Sequence, residues 1–359
     1  LIIYFQYEAP AFSFLANVAA VPLATCAFTL AFLLIFLPYT VFHEAISWMI
    51  QGVLWISRQS YGMLTIGHVP FLWVLLFYFM TGLWIWKKNG QNRHIRISLA
   101  YVIMIILIWI PMARRKSLAF LDVGQGDCFV ADTKSGAIIF DGGSSSEDQV
   151  GRYRILPYMK YLGYQKIQIA VISHMDIDHY SGIKELLEMG KIKYLGLPEI
   201  PKDETMKKII GIAKKRGTTI FYLSRGRQIT TKDGSLKVLH PQKNSQMEKN
   251  AASLVMQGKI LGYRVLLTGD VEKEGEEELL SEELERADIL KAAHHGSKNS
   301  TSNEFLQKVQ PKQTVISCGK QNRYGHPHLE TIHRLQTYRT KIYRTDRSGA
   351  IIFFKRRDG

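Results

Sequence analysis

Ile172-Ser173-His174-Met175-Asp176-Ile177-Asp178-His179 is the stretch on which the fold turns. The apolar run Ile167–Ile172 before it predicts a buried strand, and Ser181–Gly190 after it predicts a short helix. Two imidazoles and two carboxylates are therefore expected on a loop at a strand end, close enough to converge on one point. Neutral imidazole and carboxylate oxygen are metal ligands. Carboxylates crowded together without a cation raise each other's pKa. The stretch predicts a metal centre.

Polar residues recur at strand ends on both sides of it. Upstream, Ser117–Val123, Cys128–Asp132 and Ala137–Phe140 read as strands, with Gly124-Gln125-Gly126-Asp127 between the first two and Asp141-Gly142-Gly143 after the third. Arg154–Tyr161 reads as a helix. Downstream, Thr219–Leu223, Gln228–Thr230 and Leu236–Leu239 read as short strands, and an apolar run, Ser253–Gln257, follows Asn250. Tyr263–Leu267 ends in Thr268-Gly269-Asp270, and Ile289–Ala293 ends in His294-His295-Gly296-Ser297. Thr314–Ser317 leads to Arg323-Tyr324-Gly325-His326-Pro327-His328. Lys341–Arg344 and Ala350–Lys355 are expected to close the chain as a hairpin. The order predicts mixed α/β layers with the chemistry on one rim.

The first 111 residues differ in kind. Phe12–Leu37 is almost wholly apolar and long enough to cross a bilayer of about 30 Å. Phe71–Trp86 and Ile95–Ile110 are two shorter candidate spans. Val41–Ser57, carrying His43, Glu44 and Gln51, reads as an interfacial or pore-facing helix. The domains expected are residues 1–116, transmembrane helices, and residues 117–359, a soluble hydrolase-like domain. The chain starts at Leu1 within apolar sequence and reads as the C-terminal part of a longer protein. Lys87, Lys88, Arg93 and Arg96 outnumber Arg114, Arg115 and Lys116, which favours the first loop as cytoplasmic and puts the soluble domain on the external face. The net charge of +15 suits nucleic acid or anionic lipid. Cys26, Cys128 and Cys318 are too scattered for a disulfide framework or a cysteine-based zinc site.

The motifs His-x-Asp-x-Asp-His at 174–179, Leu-Thr-Gly-Asp at 267–270 and His-His-Gly-Ser at 294–297 resemble those of the metallo-β-lactamase superfamily. Asp122-Val-Gly-Gln-Gly-Asp127, Tyr-Gly-His-Pro at 324–327 and the preceding apolar helices narrow the resemblance to the C-terminal half of ComEC-type competence proteins. That resemblance implies an αββα sandwich after a transmembrane region. It also implies a part in DNA uptake during transformation, with the sandwich degrading the strand that is not transported. The implied partners are single-stranded DNA, the membrane and other uptake proteins.

In that layout His174 and Asp176 hold one metal, Asp178 and His179 the other, Asp270 bridges them and His294 completes the second site. The implied cofactors are two divalent ions, Mn²⁺ or Zn²⁺, with oxygen ligands favouring Mn²⁺ or Mg²⁺. The chain departs from the hydrolase pattern at Asp176, where a histidine is usual, and at the third motif, where Asn250 stands, with His240 as a less favoured substitute. Asp178 and His326 are the catalytic candidates, His326 as a phosphate contact or leaving-group acid. Gln125, Asp127 and Asp141 are expected to orient ligands or shape loops, and His295 is an alternative to His294. Lys298 and Arg323 are candidate phosphate contacts. Two other readings are a phosphoesterase of small or lipid substrates and a non-catalytic DNA-binding channel module.

Overall fold

A computed structural model describes residues 5–10, 13–33, 43–58, 63–86, 95, 98–100, 102–103, 115–247, 250–282 and 284–356. The chain divides into two compact units, Leu1–Met112 and Ala113–Gly359.

In the first unit, β1 (Glu8–Pro10) pairs antiparallel with β2 (Met63–Thr65). The helices are α1 (Ser13–Leu33, with Pro22 inside), α2 (His43–Arg58) and α3 (Phe71–Trp86). Phe28, Trp48, Trp55, Leu72 and Phe79 are exposed, so these helices turn apolar surface outward. Among the described residues, no helix is long and apolar enough to cross a membrane. The side chains described in α1 run only from Val18 to Leu33, and α3 has 16 residues against the about 20 a span needs. Most of Ile95–Ile110 and nearly all of the Lys87–Arg96 loop lie outside the described residues.

The second unit opens with β3 (Ser117–Phe120), β4 (Phe129–Thr133) and β5 (Gly136–Phe140), followed by a π-helical turn, Gly151–Ile155, that runs into α4 (Leu156–Tyr161). Next come β6 (Ile167–Val171), α5 (Ile177–Glu188), β7 (Ile192–Pro198), α6 (Glu204–Lys215) and β8 (Thr219–Leu223). The second half holds β9 (Gln228–Thr231), β10 (Gly234–His240), β11 (Val255–Ile260), β12 (Tyr263–Leu267), α7 (Lys273–Leu280) and β13 (Ile289–Lys291). It closes with α8 (Asn303–Val309), β14 (Gln313–Ile316), α9 (Leu329–Thr337), β15 (Lys341–Arg344) and β16 (Ile351–Phe354).

The strands form two seven-stranded sheets, in the orders β16-β3-β4-β5-β6-β7-β8 and β15-β14-β13-β12-β11-β10-β9. Leu118, Phe120 and Phe129 of the first sheet pack against Val238, Met256 and Val265 of the second. The outer face of the first sheet buries Ile183, Leu186 and Leu187 of α5 with Met206 and Ile209 of α6. The outer face of the second buries Leu279 of α7 with Phe305 and Leu306 of α8. The result is a four-layer αββα sandwich. It is built this way because each sheet is apolar on both faces and each helix on one.

Two expectations are corrected. Lys341–Arg344 and Ala350–Lys355 do not form a hairpin: β15 pairs parallel with β14, and β16 crosses to the other sheet and pairs antiparallel with β3. Alternating apolar residues fit either partner, so periodicity alone does not choose. The helix after the His174 loop starts at Ile177 rather than Ser181, which puts Asp178 and His179 on its first turn. An acidic residue there is favoured by the helix dipole.

Asp288, before β13, offers a test of the second sheet. Its carboxylate accepts from Arg264 N–H at 3.0 Å and pairs with Lys312 at 2.9 Å and Arg356 at 3.4 Å. Burial alone would raise its pKa, but these partners outweigh burial and lower it. A lowered folded pKa gives stability that is present above the unfolded value of about 3.9 and lost as pH falls through the folded one. Asp288→Asn should therefore be less stable than wild type by about 1 kcal/mol at pH 7. In urea titrations across pH, that gap should close below about pH 4.

Candidate metal centre

The site is made by loops at the strand ends of both sheets. Asp141 follows β5 in a left-handed conformation (φ 58°) that short polar side chains tolerate. Its Oδ1 accepts from Ser173 N–H at 2.7 Å, and its Oδ2 lies 3.0 Å from His179 Nδ1. The loop after β6 and the first turn of α5 are thus fixed to the loop after β5. The β3–β4 loop locks on from the other side: Asp127 N–H donates to Asp178 O at 3.0 Å, and Gly143 N–H donates to Asp127 O at 3.1 Å. A Cβ on Gly126 would lie 2.2 Å from Gly143 O and 2.7 Å from Asp178 O, so only glycine lets these backbones meet.

The second sheet brings Asp270 from the end of β12, with its N–H toward Ser253 Oγ at 3.3 Å. After β13, His294 (φ 47°, ψ 51°), His295 (φ 52°, ψ 22°) and Gly296 (φ 82°) are left-handed in succession. On a strand only one of two neighbouring imidazoles would face inward. Here the turn aims both at Asp270 Oδ2, at 3.9 Å from His294 Nε2 and 3.4 Å from His295 Nε2. His179 Nε2 is 3.1 Å from the same oxygen.

Asp127, His179, Asp270 and His295 each offer a ligand atom, and these atoms lie within 4.8 Å of one another. Asp178 Oδ2 adds to them at 3.4 Å from His295 Nε2. His179 is oriented by Asp141, and His295 by Ser317, whose carbonyl lies 2.9 Å from its Nδ1. Both Nε2 atoms are buried without a hydrogen-bond partner. That is how a metal-ligating histidine is held, with the far nitrogen anchored and the near one bare. Ligand atoms about 2.1 Å from one ion at tetrahedral angles are about 3.4 Å apart, close to the separations found. The residues fit a divalent ion.

Charge is tightly balanced. Burial would raise the pKa of Asp270, but His179, His295 and Lys291 outweigh it and hold the carboxyl well below its usual range. Asp127 is lowered to about 2, burial being overcome by Lys291 and His295. Burial would lower His295, but Asp270 and Asp127 push it up to about 10. Burial, with the charges of His295, His294 and His328, lowers His326 to about 4. At neutral pH the His326 ring is therefore uncharged, which suits a phosphate contact better than a leaving-group acid.

Lys291, the last residue of β13, has no place in the sequence reading. It is 4 % exposed, and its ammonium contacts Asp127, lies 3.4 Å from Asp270 Oδ1 and donates to Gly269 O at 3.0 Å. A lysine closing an apolar strand gives no signal until two distant carboxylates are folded onto it.

The remaining candidates are spread around this cluster. His174 packs its ring 4.1 Å from that of His179, with Nε2 3.7 Å from Asp176 Oδ2. Gln125 Oε1 accepts from Gly319 N–H at 3.1 Å, which fixes the amide, and its buried Nε2 has no partner. A cavity of about 240 Å³ reaches the cluster, lined among others by Gln125, Asp176, Asp178, Asp270, Tyr324 and His326. Lys298 lines a neighbouring groove beside Arg334 rather than this cavity. Arg323 lies over Tyr324. Asn250 does not line the cavity, and its carbonyl accepts from Ser253 N–H in the turn before β11. His240 is turned away, with Nε2 on Ala251 O and Nδ1 on Glu278.

Comparison with known proteins matches residues 121–320 to the model of the metallo-beta-lactamase superfamily. The chain belongs to that superfamily. It is 34% identical over 294 residues to ComE operon protein 3 of Bacillus subtilis, covering 76% of this chain and 38% of that protein. It is 30% identical over 248 residues to Competence protein ComA of Neisseria gonorrhoeae, covering 66% and 32%. It is 27% identical over 268 residues to Recombination protein 2 of Haemophilus influenzae, covering 74% and 32%. The chain thus spans well under half the length of these relatives, and together they bear out the resemblance to ComEC-type competence proteins. Among solved structures, the metallo-beta-lactamase fold protein YhfI of Bacillus subtilis aligns with a TM-score of 0.45 at 13% identity, covering 66% of this chain and 99% of that one.

Lys291→Met tests the charge balance. Removing one partner of a buried ion cluster costs about 3–5 kcal/mol. The variant should lose that much stability in the presence of a chelator and regain part of it with a divalent ion, read as melting temperature in each condition.

Proposed function

We propose that the second unit is a metal-dependent phosphodiester hydrolase that acts on DNA in uptake, degrading the strand that is not transported. The observation that carries this is the pair of buried Nε2 atoms of His179 and His295, which make no hydrogen bond and both face Asp270 Oδ2, at 3.1 and 3.4 Å, at the floor of an open cavity. In this reading His179, His295 and Asp270 hold a divalent ion, closed by Asp178 on the cavity side. Asp127 lies instead near the Nδ1 atoms, 3.5 Å from that of His295 and 3.7 Å from that of His179, and pairs with Lys291. His174 and Asp176 offer a second, nitrogen-poor position.

A divalent ion there supplies the charge that activates water and offsets that of a phosphodiester. The chain's own groups do the rest. Asp141 and the Ser317 carbonyl fix the rings, and Lys291 keeps Asp270 ionised. Gln125 Nε2 is a donor with no protein acceptor, placed to bind a phosphate oxygen. His326, uncharged and half-buried beside His294, adds a second polar contact. The competence-named relatives support DNA as the substrate class over small or lipid esters.

With the second position counted, three carboxylates, Asp176, Asp178 and Asp270, take part, a set richer in oxygen than the usual superfamily pattern, and this favours Mn²⁺ over Zn²⁺. Full chain stripped with chelator and titrated with each metal should degrade single-stranded DNA better with Mn²⁺. Asp178→Ala and Asp270→Ala should each lower the rate by at least about 100-fold with the circular dichroism spectrum unchanged. Near wild-type rates in either folded variant would remove the reading.

For sidedness we infer the external face. In whole cells, a lone cysteine placed at Lys243 in a cysteine-free background should react with a membrane-impermeant reagent before lysis. Labelling only after lysis would put the unit inside.

A further inference from the structure

The mouth of the metal cavity carries two features that the ligand cluster does not require. Among the described residues of the second unit, six large apolar side chains are well exposed, and two of them, Ile177 (54 %) and Tyr324 (43 %), line this one cavity. Exposed apolar surface grouped at a site marks what a ligand covers. Ile177 is the first residue of α5, directly before Asp178, and Tyr324 comes two residues before His326.

Tyr324 belongs to a stack in the lining of the cavity. Its ring lies near-parallel to that of His326, with centroids 5.7 Å apart and planes 22° apart. The Arg323 guanidinium sits 4.9 Å from the Tyr324 centroid, and Nη2 donates to its hydroxyl at 2.7 Å. Arg323, Tyr324 and Gly325 are all exposed, so this group has a side open to solvent. An imidazole, a phenol and a guanidinium in layers form a surface on which a further planar, electron-rich ring can be placed.

We propose that Arg323 and Tyr324, with Ile177 in the lining of the same cavity, form a nucleobase-binding subsite beside the metal cavity. The base adds as the next layer of the stack, on the Arg323 guanidinium or in its place. This rests on the reading of the site as a DNA hydrolase and deepens it. A base inside a duplex is stacked on its neighbours and has no free face, so the subsite selects single-stranded DNA, or strands that have been separated. Because every base has a π-face, the selection is for strandedness and not for sequence.

The test compares two single-stranded oligonucleotides of equal length, one with all its bases and one made of abasic sites, with the full chain and Mn²⁺. Loss of base stacking should lower wild-type kcat/KM by about tenfold or more, mainly through KM. Tyr324→Ala should lower it on the intact strand and erase the difference between the two substrates. Tyr324→Trp should preserve that difference. Equal wild-type rates on both substrates, or undiminished discrimination in Tyr324→Ala, would overturn the subsite while leaving the hydrolase reading in place. If wild type cuts neither substrate, the hydrolase reading falls, and fluorescence anisotropy with the same strands decides the subsite. Tighter binding of the intact strand that Tyr324→Ala abolishes upholds it, and equal binding of the two strands overturns it.

Discussion

Four carboxylates meet at the centre of this unit, and none of them can be there without positive charge nearby. Asp127, Asp141 and Asp270 are buried, and Asp178 borders them. Water is excluded, so like charges repel more strongly and ionisation is costlier than at a surface. Lys291 supplies a fixed positive charge against Asp127 and Asp270, and His179 and His295 serve the rest, either as imidazolium or as neutral ligands of a divalent ion. The glycine contacts, the left-handed turn at His294-His295 and the hydrogen bonds accepted by Asp141 all keep these charges in register. This balance explains why so much unusual backbone is concentrated on one rim of an otherwise regular sandwich.

The two sheets divide the work. The first carries Asp127, Asp141 and the His174–His179 loop, and the second carries Asp270, Lys291 and the two histidines after β13. Neither sheet alone presents a complete set. The site therefore depends on the buried face between the sheets, where Phe120, Phe129, Met256 and Val265 set how the two rims meet. A shift of one residue in either register would turn Lys291 away from the carboxylates.

Much of this is legible in the sequence because the ligand-bearing groups come in short runs at strand ends. His174–His179, Thr268–Asp270 and His294–Ser297 each stand out against apolar strands, and all three lie within residues 121–320, the span of the superfamily match. What stays hidden depends on pairings between residues far apart in the chain. Lys291 reads as an ordinary strand residue. Asp127 reads as a loop residue until Gly126 and Gly143 bring it under α5. His294 and His295 read as strand neighbours, because a left-handed pair of non-glycine residues has no sequence signature of its own. The mistaken closing hairpin has the same origin, since strand periodicity does not name the partner. For the first unit, apolar length predicts spans that the described helices do not reach.

The crossing of β16 to β3 bears on how the unit is made. In synthesis from the N-terminus, β3 through β8 emerge before the second sheet exists, yet the outer position beside β3 is filled only by the last strand of the fold. Until then β3 is an open edge with unpaired backbone groups, the kind of surface on which chains associate wrongly. Its brevity, four residues, limits that hazard. The bond from Gly319 N–H to Gln125 Oε1, which joins the cavity wall across the chain, also waits for a residue far downstream, though one made before β16. A chain halted before β16 would thus display most of the metal ligands and still lack the strand that seals the sheet beneath them, so the site's groups are made before the sheet that carries half of them is complete.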